Sequence, residues 1–393
     1  MIEFFLGKLH TENIDIKHKK RGRIMLYQIV KDNCESCDLL KNARLLMFLG
    51  IIFSFVATFI ATGLLKNKLP RDVGRDFAVD GKKSAGKGRG AGVIFVPAFI
   101  ISVLIFFPLN AELAIYLLIL LLTMLSGFLD DAAKTPWGEY KKGIIDFVIA
   151  LGCAITYVHY NGSKLTIMLI DKSFTLPEWL YVVLAVILIW AAINVVNCSD
   201  GVDGLSASRV ITTLIGFFAF FKTFFSDVSA AFGAGDIKDI LNGGIVNAFD
   251  KEPTEFVMST AFIYKGLILS FIFCLLAYLW YNANPSVLMM GDAGSRAMGM
   301  FLAILALKSG CPLLFIPLAL VIILDGGLGL IKIVCIRFLK IKGFMKNIRT
   351  PLHDHVRKNK EPAYSPTQVV FRFVILHAVI CMFYIGLLMI LRL

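Results

Sequence analysis

About ten apolar runs divide the chain, most of them close to the roughly 20 residues a helix needs to cross a bilayer. Within lipid no water satisfies backbone N–H and C=O groups, so only helices or closed barrels can span. These runs lack the two-residue alternation of barrel strands. Hydrophobic residues make up 58% of the 393, and charged ones only 17%, less than a soluble chain carries. The expectation is an all-α polytopic integral membrane protein with strands unlikely. A basic N-terminal tail, 1–42, precedes one membrane domain, 43–393, of about ten transmembrane helices.

The runs read as spans near 42–65, 93–107, 111–129, 143–160, 179–196, 209–225, 260–281, 293–307, from 312 onward, and 369–391. An acidic loop, 226–258, follows the sixth. Basic residues crowd the loops that trail the first, third and ninth: Lys66 to Arg89; Lys134, Lys141 and Lys142; Arg337 to Lys360. Positive-inside topology then puts the odd-numbered span ends in the cytosol, although it leaves the basic tail outside. The net charge of +12 thus fits anionic lipid and phosphate better than nucleic acid. Cysteines in apolar runs read as small core residues, and Cys34 with Cys37 is a lone pair without the second that zinc would need.

Four polar clusters fall on that one cytosolic face. The fifth run ends in Asn194, Asn197, Asp200 and Asp203, with Gly201 and Gly204 between them. Polar groups at membrane depth are costly and usually line a functional cavity. Asp130 and Asp131 close the third run; adjacent carboxylates repel and invite a cation, while Lys134 could neutralise them or hold phosphate. The alternative is a solvated helix end. Asp292, between Gly291 and Gly294, lies at a helix start, where it is either an N-cap or, alongside the other carboxylates, a Mg²⁺ ligand. His353-Asp-His355 follows a basic stretch and suits a phosphate clamp or proton donor better than Mg²⁺. The glycine-rich segment around Lys87 lacks P-loop order and reads either as a phosphate-contacting loop or as a linker. Asp325, among glycines in the ninth run, marks a helix break or a cavity. The convergence predicts a cytosolic-face active-site cleft built from four loops. A transporter, which would carry mid-bilayer charges and internal repeats, fits less well.

Phe128-Leu-Asp-Asp131, Asn194-Val-Val-Asn-Cys-Ser-Asp-Gly-Val-Asp-Gly-Leu205, Met290-Gly-Asp-Ala-Gly-Ser295 and Pro351-Leu-His-Asp-His355 resemble the signatures of the polyprenyl-phosphate N-acetylhexosamine-1-phosphate transferases. Pro351-Leu-His-Asp-His355 and Pro366-Thr-Gln-Val-Val-Phe-Arg-Phe373 point to the phospho-N-acetylmuramoyl-pentapeptide transferase branch. The resemblance implies ten spans and transfer of phospho-MurNAc-pentapeptide from UDP to undecaprenyl phosphate, giving lipid I and UMP with Mg²⁺. It implies Asp130, Asp131, Asp292 and His353 as catalytic, with Asp292 on the metal. It implies Lys87, Lys134, Lys142, Asn194, Asn197, Asp200, Asp203, Asn282 and His355 as substrate contacts. The implied partners are UDP-MurNAc-pentapeptide, undecaprenyl phosphate and membrane lipid, with a homodimer as an option and no nucleic acid. The location implied is the bacterial inner membrane. A UDP-N-acetylglucosamine-using sister enzyme is the alternative. The chain departs from the family pattern at Asp354, where His is usual, and at Met289, where Phe is usual.

Overall fold

A computed structural model describes residues 42–74, 79, 81–133, 135, 137–170, 172–221, 260–337, 339–341 and 343–392. The tail 1–41, Lys134 and the acidic loop lie outside the described residues. A helix occupies each of the expected span positions: α1 Ala43–Leu65, α2 Gly92–Phe106, α3 Ala111–Asp131, α4 Glu139–Asn161, α5 Glu178–Cys198, α6 Leu205–Phe220, α7 Thr260–Asn282 and α8 Gly291–Lys308. The ninth region is a pair, α9 Pro312–Leu318 and α10 Leu320–Arg337, bent by 71°. A short α11, Leu352–Lys358, precedes α12, Pro366–Arg392.

Among the described residues, six of these helices are long and apolar enough to cross a membrane, or seven if the bent pair counts as one; α2 and α6 are shorter apolar helices. Strands, read as unlikely because the apolar runs lack alternation, occur outside those runs. Lys164–Ile167 and Lys172–Thr175 pair antiparallel in the loop after α4, with Leu165 opposite Phe174. This hairpin sits in a connecting loop, where neither apolar length nor helical period governs the chain. The sixth helix also starts one turn earlier than its apolar run, at Leu205, directly after Gly204 turns the chain with a φ of 78°.

Side-chain sorting along α1 is the inverse of a soluble helix. Gly50, Ser54, Thr58 and Thr62, spaced by four, are buried, whereas Phe48, Ile52, Val56, Ile60 and Leu64 are exposed on the opposite stripe. Small residues inside let helices approach closely, and apolar ones outside suit lipid. Most of α8 follows this logic to its limit: every residue from Gly291 to Leu307 is buried. It packs chiefly on α3 and α5, with α2 alongside. Its start, where Asp292 sits, is thereby fixed from several directions.

Candidate active site

The close approach of α3 to α8 begins with a missing side chain. A Cβ on Gly127 would stand 2.4 Å from the carbonyl oxygen of Asp292. With glycine there, the last turn of α3 reaches the first turn of α8. The Asp131 carboxylate accepts hydrogen bonds from the Asp292 N–H (3.1 Å) and the Ala293 N–H (3.0 Å). Asp292 is therefore not the N-cap of its own helix. Asp131, from another helix, supplies the anion for the free donors and the positive dipole end. Gly127→Ala should force the two helices apart at a cost of about 1–3 kcal/mol, typical of overpacking. A melting temperature below that of the parent, measured on purified protein in detergent, is the expected result.

Two cations bind this acidic group. Lys142, on the first turn of α4, puts Nζ 2.5 Å from Asp130 Oδ2 and 3.0 Å from Asp292 Oδ2. The other Asp130 oxygen accepts from the Trp137 N–H at 2.7 Å, which fixes the loop leading into α4. Arg89 places Nε 2.8 Å from Asp131 and Nη2 3.4 Å from Asp292. Burial works against the charge on Arg89, but Asp131, Asp292, Asp72 and Asp130 outweigh it and raise its pKa above the usual arginine value. Asp130, Asp131 and Asp292 are all buried. Three carboxylates and two cations thus form a compact charged group at the ends of α3, α4 and α8.

The glycine-rich segment is laid into the site by backbone bonds. The Met289 N–H donates to the Gly88 carbonyl at 2.7 Å, and the Ala91 N–H to the Met289 carbonyl at 3.1 Å. The chain from Lys87 to Ala91 therefore runs beside the loop that enters α8. Lys87 Nζ lies 3.3 Å from Asp203 and 2.9 Å from the Ser286 hydroxyl, and Asp203 also accepts from the Ser286 N–H. Asn282 joins the same loops: Oδ1 accepts from the Gly204 N–H and Nδ2 donates to the Leu288 carbonyl, each at 2.8 Å. Asn197 accepts from the Ser295 hydroxyl at 3.0 Å, whereas Asn194 donates back to Trp190 of its own helix. Asp200 lies in the same loop, half-buried, with its N–H donating to the Asn197 carbonyl.

His353 arrives from α11. Its Nδ1 is 2.9 Å from Asp325 Oδ2, and its N–H donates to Asp325 Oδ1 at the same distance. The far ring nitrogen faces Gly201, where a Cβ would come within 2.3 Å. Glycine at 201 is what lets the histidine reach the loop after α5. Asp325 lies in a π-helical turn, Ile323–Gly327, within α10. It also pairs with Arg209 at 2.6 Å, while Arg209 donates to the Ser199 carbonyl. His355 Nδ1 instead accepts from the Arg349 N–H and steadies the preceding loop.

The structure thus brings together Asp130, Asp131, Lys142 and Asp292, joins Lys87 to Asp203, and sets His353 against the loop of residues 199–204. Sequence reasoning missed Arg89 and Arg209 as site components. Arg209 had a usable signal, a charge at the head of an apolar run, which inside a membrane needs a partner. Among the described residues, no three His, Cys, Asp or Glu side chains form a ready-made metal site. Asp130 and Asp292 nevertheless converge on one cation, the Lys142 ammonium, and hard carboxylate oxygens in that arrangement suit Mg²⁺ completed by phosphate oxygens.

Residues 113–310 match the glycosyl transferase family 4 model. The chain is 37% identical over 318 residues to a phospho-N-acetylmuramoyl-pentapeptide-transferase of Treponema pallidum (strain Nichols), covering 79% of this chain and 80% of the relative. It is 30% identical over 307 residues to the protein of that name from Thermoanaerobacter sp. (strain X514), covering 75% and 83%. A Wolbachia pipientis wMel relative with the same name is 26% identical over 300 residues, covering 74% and 80%. With matched segments that include both the Asp130-Asp131 helix end and the Asp292 helix start, the chain belongs to glycosyl transferase family 4 and, within it, to the phospho-N-acetylmuramoyl-pentapeptide-transferases.

Proposed function

We propose that the chain transfers phospho-MurNAc-pentapeptide from its UDP-linked donor to undecaprenyl phosphate, forming lipid I and releasing UMP for peptidoglycan synthesis. The observation that carries this reading is the charged group itself. Asp130, Asp131 and Asp292 meet Arg89 and Lys142 at helix ends, the chemistry needed to hold a diphosphate and a dication beside lipid. Ten helices crossing the bacterial inner membrane, with this site on the cytosolic side, fit the basic loops after the first, third and ninth runs.

In the reaction, an oxygen of the lipid phosphate attacks the sugar-side phosphorus of the donor. The bond from that phosphorus to the bridging oxygen breaks, and UMP leaves with the electron pair. One diphosphate replaces another, so the step is close to isoenergetic. Catalysis is then mostly positioning and charge neutralisation. Asp292 would hold Mg²⁺, with the Asp130 carboxylate beside it, and the ion would offset charge on the leaving phosphate. Lys142 and Arg89 would turn from carboxylates toward phosphate oxygens, and Lys87 would contact the donor. The acceptor's second phosphate pKa is about 6, so it is largely ionised at neutral pH and needs little help from a base.

Purified protein should release UMP from UDP-MurNAc-pentapeptide and undecaprenyl phosphate, and not from UDP-N-acetylglucosamine. Chelation should stop the reaction and added Mg²⁺ restore it. UMP release from UDP-N-acetylglucosamine alone would replace this substrate with the sister enzyme's. Turnover unaffected by chelator would remove the metal from the scheme.

A further inference from the structure

One turn deeper than Lys142 and Asp292, the same two helices carry a second ion pair that the reaction does not use. Asp146 on α4 pairs with Arg296 on α8, and both side chains are buried. Lys142 and Asp146 are four apart, as are Asp292 and Arg296, so each helix presents its two charges on one face. The signs alternate: plus over minus on α4, minus over plus on α8. Only one register of α4 against α8 satisfies both rungs. A slip of one turn in either direction would bring like charges together or leave a buried charge alone.

α8 packs mainly on α3 and α5 rather than on α4, so these rungs are much of what ties α4 to it. The pair is also an expensive way to fill space. Arg296 leaves Nε and Nη1 without hydrogen-bond partners among the described residues. Two apolar side chains of similar volume would avoid that desolvation and often stabilise a core. What apolar packing lacks is a fixed partner, and buried polar pairs are best attested as setters of register.

We infer that the Asp146–Arg296 pair is a positioning device that sets the register of α4 on α8 and so holds Lys142 against Asp292 and Asp130. The role in turnover rests on the transferase reading above; the role in placing Lys142 does not. A misplacement of about 1 Å at a reacting centre can cost on the order of 100-fold in rate.

The test compares the full-length wild type with Asp146→Met/Arg296→Leu, both purified in detergent. Amine acylation is followed by mass spectrometry at Lys142, with exposed Lys164 on the hairpin as the internal reference. The double variant should keep its melting temperature and acylate Lys142 at least threefold faster relative to Lys164. Its kcat for UMP release should fall at least tenfold, with donor KM changed less than about threefold. Unchanged Lys142 acylation overturns the inference, as does unchanged kcat where the wild type turns over. A wild type with no turnover on either UDP-sugar sinks the functional reading, and acylation still decides the register. If the apolar pair does not fold, Asp146→Asn/Arg296→Gln, which removes both charges and leaves a polar side chain at each position, is read the same way.

Discussion

Asp292→Asn should lower kcat for UMP release by roughly 10³-fold while leaving the helices folded. Loss of one preorganised electrostatic group commonly costs about 10²–10³-fold, and the Mg²⁺ role proposed for Asp292 puts the expectation at the upper end. The change is isosteric, and the Asp292 backbone N–H that Asp131 holds is untouched. What disappears is the anion that faces Lys142 at 3.0 Å and Arg89 at 3.4 Å. Single-turnover UMP release at saturating donor, with a melting curve as control, reads the result. A folded variant that keeps more than about a tenth of the parent rate would take Asp292 out of the metal role.

Asp131→Asn should behave differently, although the two carboxylates are neighbours. Asp131 holds two N–H donors at the start of α8 as well as Arg89. An amide can keep at most part of that set, so this variant should lose melting temperature together with rate. Asp130, which holds the Trp137 N–H and Lys142, should fall between them. The three acidic residues look equivalent in a sequence and are separated by what each one touches.

Much of the membrane architecture was legible because apolar length is a local property. The end of α5 at Cys198 and the start of α7 at Thr260 follow directly from where apolar character stops and begins. The meeting of Asp130–Asp131 with Asp292 was legible too, since span parity alone puts those ends on one side. Side-chain pairings were not. Arg89 reaches Asp131 on a segment held by backbone bonds to the distant Met289, Met290 and Pro70, and nothing near either residue encodes that. Asp146 and Arg296 sit inside runs whose apolar neighbours dominate any window average. Asn282, expected as a substrate contact, has both ends of its amide taken by backbone groups of two loops, a role visible only once those loops are in place.

The largest stability effect should come from Asp325→Ala, because Asp325 serves two buried partners at once. Arg209 is fully buried, with its Nη1 on Asp325 and its Nη2 on the Ser199 carbonyl, while its Nε is unpaired among the described residues. Removing the carboxylate leaves a guanidinium charge with one neutral acceptor, a loss of about 3–5 kcal/mol for a buried pair broken on one side. His353 loses the acceptor for its Nδ1 and for its N–H in the same step. Adding Arg209→Met should recover most of the melting temperature, because the stranded charge is gone. It should not recover turnover, since the imidazole has then lost the carboxylate that orients it toward Gly201. Stability and rate therefore separate in the double variant. If the double variant regained both, His353 would owe its place to α11 alone; if it regained neither, the carboxylate would be holding the α10 bend itself, independent of the arginine.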